Sequence, residues 1–111
     1  MTNELVTEAE VERALDFLRD SAAELGAAKE AAVRCGHMVR HKRALEMKKC
    51  NGMSVSAQER EAEASLTMLE AYGEDAIAAG EYEKVKSLRE AAALKIEVWR
   101  SMGANYRAMK I

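Results

Sequence analysis

Six bases fall within residues 31–49: Arg34, Arg40, Lys42, Arg43, Lys48 and Lys49. Arg40 and Arg43 are three residues apart and Lys42 and Lys49 seven apart, so on a helix these charges cover about half the circumference. A cluster of this kind neutralises phosphates without reading base sequence. The same interval holds His37 and His41. Their spacing of four puts both on one side of a helix, as in a two-histidine metal pair. Cys35 is off that line and no HExxH surrounds them, so no metal site is implied. A solvated or phosphate-contacting face is the reading that remains. A second basic stretch closes the chain with Arg100, Arg107 and Lys110, beside Trp99 and Tyr106 and without an acid. Basic grooves lined with aromatics hold single-stranded nucleic acid by stacking. Trp99 and Tyr106, seven apart, also continue an apolar stripe, which reads as core. The three bases are therefore the better contacts.

A structural explanation competes with this one. The acids Glu59, Glu61 and Glu63, or the first helix of a neighbouring subunit, could pair with the cluster. A contact from those acids to Arg40 and Lys42 decides between the two. The charge pattern allows either. Residues 1–30 carry −5, residues 31–49 +5, residues 50–80 −5 and residues 81–111 +3, within a net charge of only −2. Alternating blocks suit head-to-tail helix pairing or one basic surface on an acidic body. The chain offers no glycine-rich phosphate loop, no GxSxG elbow and no convergent acid–base set, and so reads as non-enzymatic and without a cofactor.

The elements that must position these residues are helices. The 111 residues include no proline, one Trp, three Tyr and one Phe, while Ala, Glu, Leu, Lys, Arg and Met dominate. That composition makes long helices and a thin core, which subunits often complete for one another. Seven methionines at irregular spacing add adaptable packing or a partner surface. Thr7 and Glu10 form a capping box. From there Val11, Leu15, Leu18, Ala22, Leu25, Ala28, Ala32, Cys35 and Val39 recur in threes and fours, which predicts one helix over about 7–50, on the order of 65 Å long. A helix of that length must pair. Asn51-Gly52 ends it, both residues tolerating a left-handed backbone. Ser56 with Glu59 predicts a second capping box and a short helix over about 56–64. Ser65 caps a second long helix over about 66–109, with the stripe Leu69, Tyr72, Ala76, Ala79, Tyr82, Val85, Leu88, Ala92, Ile96, Trp99, Met102 and Tyr106. The expected fold is all-α: one domain over 1–111, with two long antiparallel helices joined by a short capped one, a coiled-coil-like hairpin that forms a homo-oligomer.

The isolated cysteines Cys35 and Cys50 do not make a disulfide framework and fit a reducing compartment. The acidic start MTNELVTEAE lacks the apolar region of a signal peptide, and no apolar run approaches the ~20 residues of a membrane span.

The run from Lys49 through Ser56-Ala57-Gln58-Glu59-Arg60-Glu61-Ala62 to Ser65, Leu69 and Tyr72, then Leu88-Arg89-Glu90-Ala91-Ala92, Lys95-Ile96-Glu97, Trp99-Arg100-Ser101 and Asn105 to Lys110, resembles a family of roughly 110-residue proteins from tailed phages and prophages. The likeness covers about the last two thirds of the chain. Its most specific parts are the Ala-Gln-Glu-Arg-Glu-Ala and Trp-Arg-Ser segments. The layout is also similar to the recombination mediator of T-even phages, a small helical oligomer that binds single-stranded DNA and helps load the recombinase. The shared features are a basic first long helix, a serine-capped break and a second long helix with a basic end. The layout carries no individual binding residue across.

The resemblance implies a non-catalytic recombination accessory in the bacterial cytoplasm, with single-stranded DNA, a second copy of itself and a recombinase as partners. The expected contacts are Arg34, Arg40, Lys42, Arg43, Lys48, Lys49, Arg100, Arg107 and Lys110, chosen on charge and placement. Two other roles are compatible with the residues: a phage regulator that binds a host protein, and a coiled-coil component of the virion.

Overall fold

The computed structural model describes residues 5–109. It is all-α, with α1 over Glu8–Asp20, α2 over Ala22–Lys48, α3 over Val55–Glu63 and α4 over Leu66–Met109. Among the described residues no helix is long and apolar enough to cross a membrane. Two compact units divide the chain. One combines 1–26 with 84–111, and the other is 27–83.

In the second unit α4 packs against α2 as an antiparallel hairpin. Lys29 on α2 sits 4.9 Å over the ring of Tyr82 on α4. Seventeen residues further along α2, Glu46 lines a groove with Thr67, fifteen residues back along α4. The helix that needed a partner has one in its own chain. Between α2 and α4 the corner is tightly made. Gly52 takes φ 97°, the left-handed stop expected of Asn51-Gly52. Met53 N–H donates to the Cys50 carbonyl at 3.2 Å. Ser54, not Ser56, then caps α3, its hydroxyl accepting from Ala57 N–H at 3.2 Å. The Gln58 amide donates back to the Met53 carbonyl at 3.0 Å, so it braces the turn where a capping-box acid was expected. Ser65 does cap α4: its oxygen accepts from Met68 N–H at 3.2 Å and its hydroxyl donates to the Ala62 carbonyl at 2.7 Å. These bonds hold Ala62, Met68 and Ala71 in the core of this unit, and Met68 has no exposed surface.

In the first unit the capping box is present, with Glu10 N–H on Thr7 Oγ1 at 3.2 Å and Thr7 N–H on Glu10 Oε2 at 3.1 Å. Val6, Val11, Ala14, Val85 and Ala92 form its core. The expected helix over 7–50 is two helices, separated at Ser21. A serine inside a helix can satisfy its hydroxyl away from the backbone ladder. Here the Ser21 side chain is buried and accepts from Arg89 Nη1 at 2.7 Å, while the same nitrogen donates to the Leu18 carbonyl at 2.6 Å. One guanidinium from α4 thus satisfies the junction between α1 and α2.

The α4 stripe is also shifted at its start. Met68 and Ala71 face inward, whereas Leu69 is 68% exposed and Tyr72 is exposed. Val85 and Ala92 do face inward as expected. Leu88, Trp99 and Tyr106, expected in the core, are exposed.

Candidate nucleic-acid interface

The basic run of α2 ends beside the first turn of α4, and this placement makes a groove. Positions 42, 45, 46 and 49 share one face of α2 by helical spacing. Lys42, Leu45, Glu46, Lys48 and Lys49 line the groove with Thr67 of α4, around a volume of about 640 Å³. Leu45 provides an apolar floor, three ammonium groups the rim, and Thr67 a hydroxyl from the facing helix.

The six bases expected here have different fates. Arg34 pairs with Glu30 one turn earlier on α2. Arg43 Nε lies 3.2 Å from Glu63 Oε1. The two are not aligned for a hydrogen bond, and that nitrogen has no hydrogen-bond partner. Lys49 Nζ donates to Glu46 Oε1 at 2.9 Å. Arg40, Lys42 and Lys48 make no ion pair among the described residues. The test contact, from Glu59, Glu61 and Glu63 to Arg40 and Lys42, is not the one formed. Only Glu63 reaches α2, and it takes Arg43. Glu63 also accepts the Tyr72 hydroxyl at 2.8 and 3.0 Å. That hydrogen bond raises the Tyr72 pKa, because it favours the neutral phenol. Arg43 is thereby part of a structural knot, and the groove keeps Lys42 and Lys48 available.

Glu46 is the one acid within the basic run, and it had no role in the sequence reading. Its side chain is only 11% exposed and sits among the lysines. The hydrogen bond from Lys49 holds its carboxyl below the usual range; burial opposes this, and Thr67 adds to it. Thr67 was overlooked as well, since only the hairpin register brings it opposite Lys49. No signal local to residue 67 indicates that position.

The second basic stretch is different. Arg100 donates to Glu97 on its own helix at 3.0 Å. A groove of about 490 Å³ runs past Glu97, Trp99, Arg100, Ser101, Gly103 and Ala104, all on α4. Trp99 is 41% exposed, so its ring is open to a stacking partner, against its assignment to the core. Lys110 and the side chain of Arg107 lie outside the described residues. His37 and His41 are exposed on α2. Among the described residues no group of three or more His, Cys, Asp or Glu converges as a metal site would require.

No protein-family model, curated protein or solved structure matches this chain.

Proposed function

We propose that this chain is a non-catalytic phage recombination accessory that binds single-stranded DNA as a homo-oligomer. The observation that carries the binding step is the groove at the end of α2, where Lys42 and Lys48 are unpaired over the Leu45 floor and Thr67 faces them. Flexible ammonium groups around an apolar floor suit a phosphodiester backbone with a sugar or base against the floor. Thr67 suits a phosphate oxygen. Each contact is weak, and an oligomer presents several grooves to one strand, which multiplies them. Arg40 lies outside the groove, on the side of α2 away from Lys42 and Lys49 by helical spacing. Arg34, Arg43 and Lys49 contribute less, because each already has a carboxylate partner.

The test is fluorescence anisotropy of a labelled single-stranded oligonucleotide titrated with protein across a salt series. Affinity falls steeply with salt, with a log–log slope of about −0.7 per neutralised phosphate. Lys42→Gln with Lys48→Gln reduces that slope by about 1.4 and lowers low-salt affinity by roughly tenfold or more. A wild-type protein that binds no oligonucleotide at low salt overturns the reading. If nuclease-treated host lysate then yields a protein partner, the regulator role replaces it.

A further inference from the structure

The hairpin within residues 27–83 presents two outward faces of opposite charge. On α4, the side turned away from α2 carries Leu66, Leu69, Gly73, Ile77 and Gly80, opposite the buried Met68 and Ala71 at 100° per residue. Leu66, Leu69 and Ile77 are 68%, 68% and 76% exposed. Nothing in the chain lies within 4 Å of a Cβ built on Gly73 or Gly80. Residues 66–83 hold five acids and no base. Three of the acids, Glu70, Glu74 and Glu81, form one edge of the apolar line by helical spacing. On α2, the side turned away from α4 carries Val33, His37 and Ala44, all exposed and opposite Ala28 and Val39. Arg34 and His41 stand along one edge of this side and Arg40 along the other. Glu70, Glu74, Glu81, His37, Arg40 and His41 make no ion pair among the described residues. The hairpin therefore leaves an acidic face and a basic face unmatched on its two sides.

We infer that the α4 face of one copy docks on the α2 face of the next, antiparallel, with Leu69 level with Ala44 and Gly80 level with Val33. The occupant of each face is a second copy of this chain. The inference gives the homo-oligomer of the proposed function its interface and rests on that part of the reading. Two independent features select the arrangement.

The first is charge. Antiparallel docking turns the acid edge of α4 towards the Arg34 and His41 edge of α2, with Glu81 level with Arg34 and Glu74 level with His41. Docking α4 on its own copy in the antiparallel sense would set Glu70, Glu74 and Glu81 against themselves, and docking α2 on its own copy would oppose base to base. Parallel docking of α4 on α2 would turn the acids to Gly36, Arg40 and Met47, with one base where the antiparallel sense offers two. Size agrees with charge, because Leu69 and Ile77 are large where Ala44 is small, and Gly80 is small where Val33 is large.

The second is register. Inside the hairpin Lys29 sits over Tyr82, and Glu46 shares a groove with Thr67. Within one chain, then, position 33 is level with about 78–80 and position 44 with about 67–69. Docking reproduces those levels between copies to within two residues, about 3 Å. The neighbour accordingly stands beside the first hairpin with its α2 pointing the same way. At about 8–10 Å between packed helices, successive Lys42 grooves lie roughly 16–20 Å apart and open to the same side, where one strand can run past them. The contact is head-to-tail, so each added copy offers the same face again.

A strip over residues 66–81 is about 22 Å long and about 10 Å wide and buries on the order of 450 Å² over two copies, below the roughly 1,000 Å² of stable specific interfaces. The contact is weak between free copies and gains strength on a shared strand, where effective concentrations reach about the millimolar range.

Disulfide trapping in the full chain, with Cys35→Ser and Cys50→Ser, tests the docking without oligonucleotide. Leu69→Cys and Ala44→Cys are prepared separately, checked for helicity by circular dichroism, and oxidised alone and mixed at ~1 mM. The mixture yields a covalent dimer and neither variant alone does so comparably. One chain carrying both cysteines yields a ladder of higher multimers, because the contact is head-to-tail. Where either variant loses helicity, Gly80→Cys with Val33→Cys replaces the pair, level by the same register. Leu69→Cys linking to itself or to Val33→Cys, or no link in the designed pair, overturns the inference. Glu81→Arg on the Leu69→Cys copy lowers the dimer yield about fivefold, and Arg34→Glu on the Ala44→Cys copy restores it. Failure of that rescue also counts against the docking. Oligonucleotide binding is measured apart from this. A chain that cross-links as described but binds no oligonucleotide keeps the interface and loses the DNA reading, and one that binds without cross-linking loses the interface alone.

Discussion

Two basic stretches of similar composition end up in different circumstances. The one at the end of α2 meets a second helix. Its lysines share a groove with Thr67, and two of them stay unpaired. In the one at the end of α4, Arg100 is taken by Glu97 of its own helix. The difference shows what converts a run of charge into a surface. An isolated helix neutralises its bases with acids three or four residues away, in exposed pairs worth well under 1 kcal/mol. A neighbouring helix supplies new groups, here Thr67. The same comparison explains why Arg43 drops out of the cluster. It sits where α3 returns to α2, and Glu63 reaches it.

The largest way to break this contrast is through the core beneath the groove. Met68 is fully buried next to Thr67 in sequence. Met68→Ala removes most of its side chain and leaves a void, which costs about 2–5 kcal/mol. Chemical denaturation should show that loss, and oligonucleotide binding through the groove should fall with it. Among the described residues of α4, none after Ala92 is buried.

A smaller effect sharpens the contrast through Glu46. Glu46→Gln removes the one acid in the groove and releases Lys49, so oligonucleotide affinity should rise severalfold and the salt slope by about 0.7. The pH dependence has a definite sign. The folded-state pKa of Glu46 is below 4.5, so its contribution to stability is present above pH 4.5 and lost as pH falls through the lowered value. Acid denaturation of the wild type and of Glu46→Gln should therefore converge below that range and differ above it. The smallest effect is at the tail. Arg100→Gln removes a base already committed to Glu97, and affinity should change by about twofold or less. A large loss at Arg100 with little loss at Lys42 and Lys48 would reverse the comparison.

Much of the fold was legible in the residues, for local reasons. Thr7 with Glu10, the Asn51-Gly52 stop and the Ser65 cap are short-range hydrogen-bonding patterns, and each appears where it was read. The reading faltered where two local patterns competed. Ser54 and Ser56 are both plausible caps, and the Gln58 bond to Met53 accompanies the choice of Ser54. Along α4 two apolar lines run on opposite sides, so periodicity alone could not say which faces inward. Packing against α2 turned Met68 and Ala71 in and left Leu69 out. The break at Ser21 was illegible for another reason: what satisfies it is Arg89, sixty-eight residues away.

The sequence by itself determined that this chain is helical, where α1 and α4 start and where α2 stops, and that its bases come in two blocks. Those properties depend on neighbours within about four residues, the reach of caps and helical spacing. Only the tertiary structure decided which bases remain available, which side of α4 is covered, and that Thr67 and Glu46 belong with the lysines. Those properties depend on the register of α4 against α2. That register follows from Met68 and Ala71 being buried and from the Ser54, Gln58 and Ser65 bonds at the corner, and no short stretch of the chain encodes it.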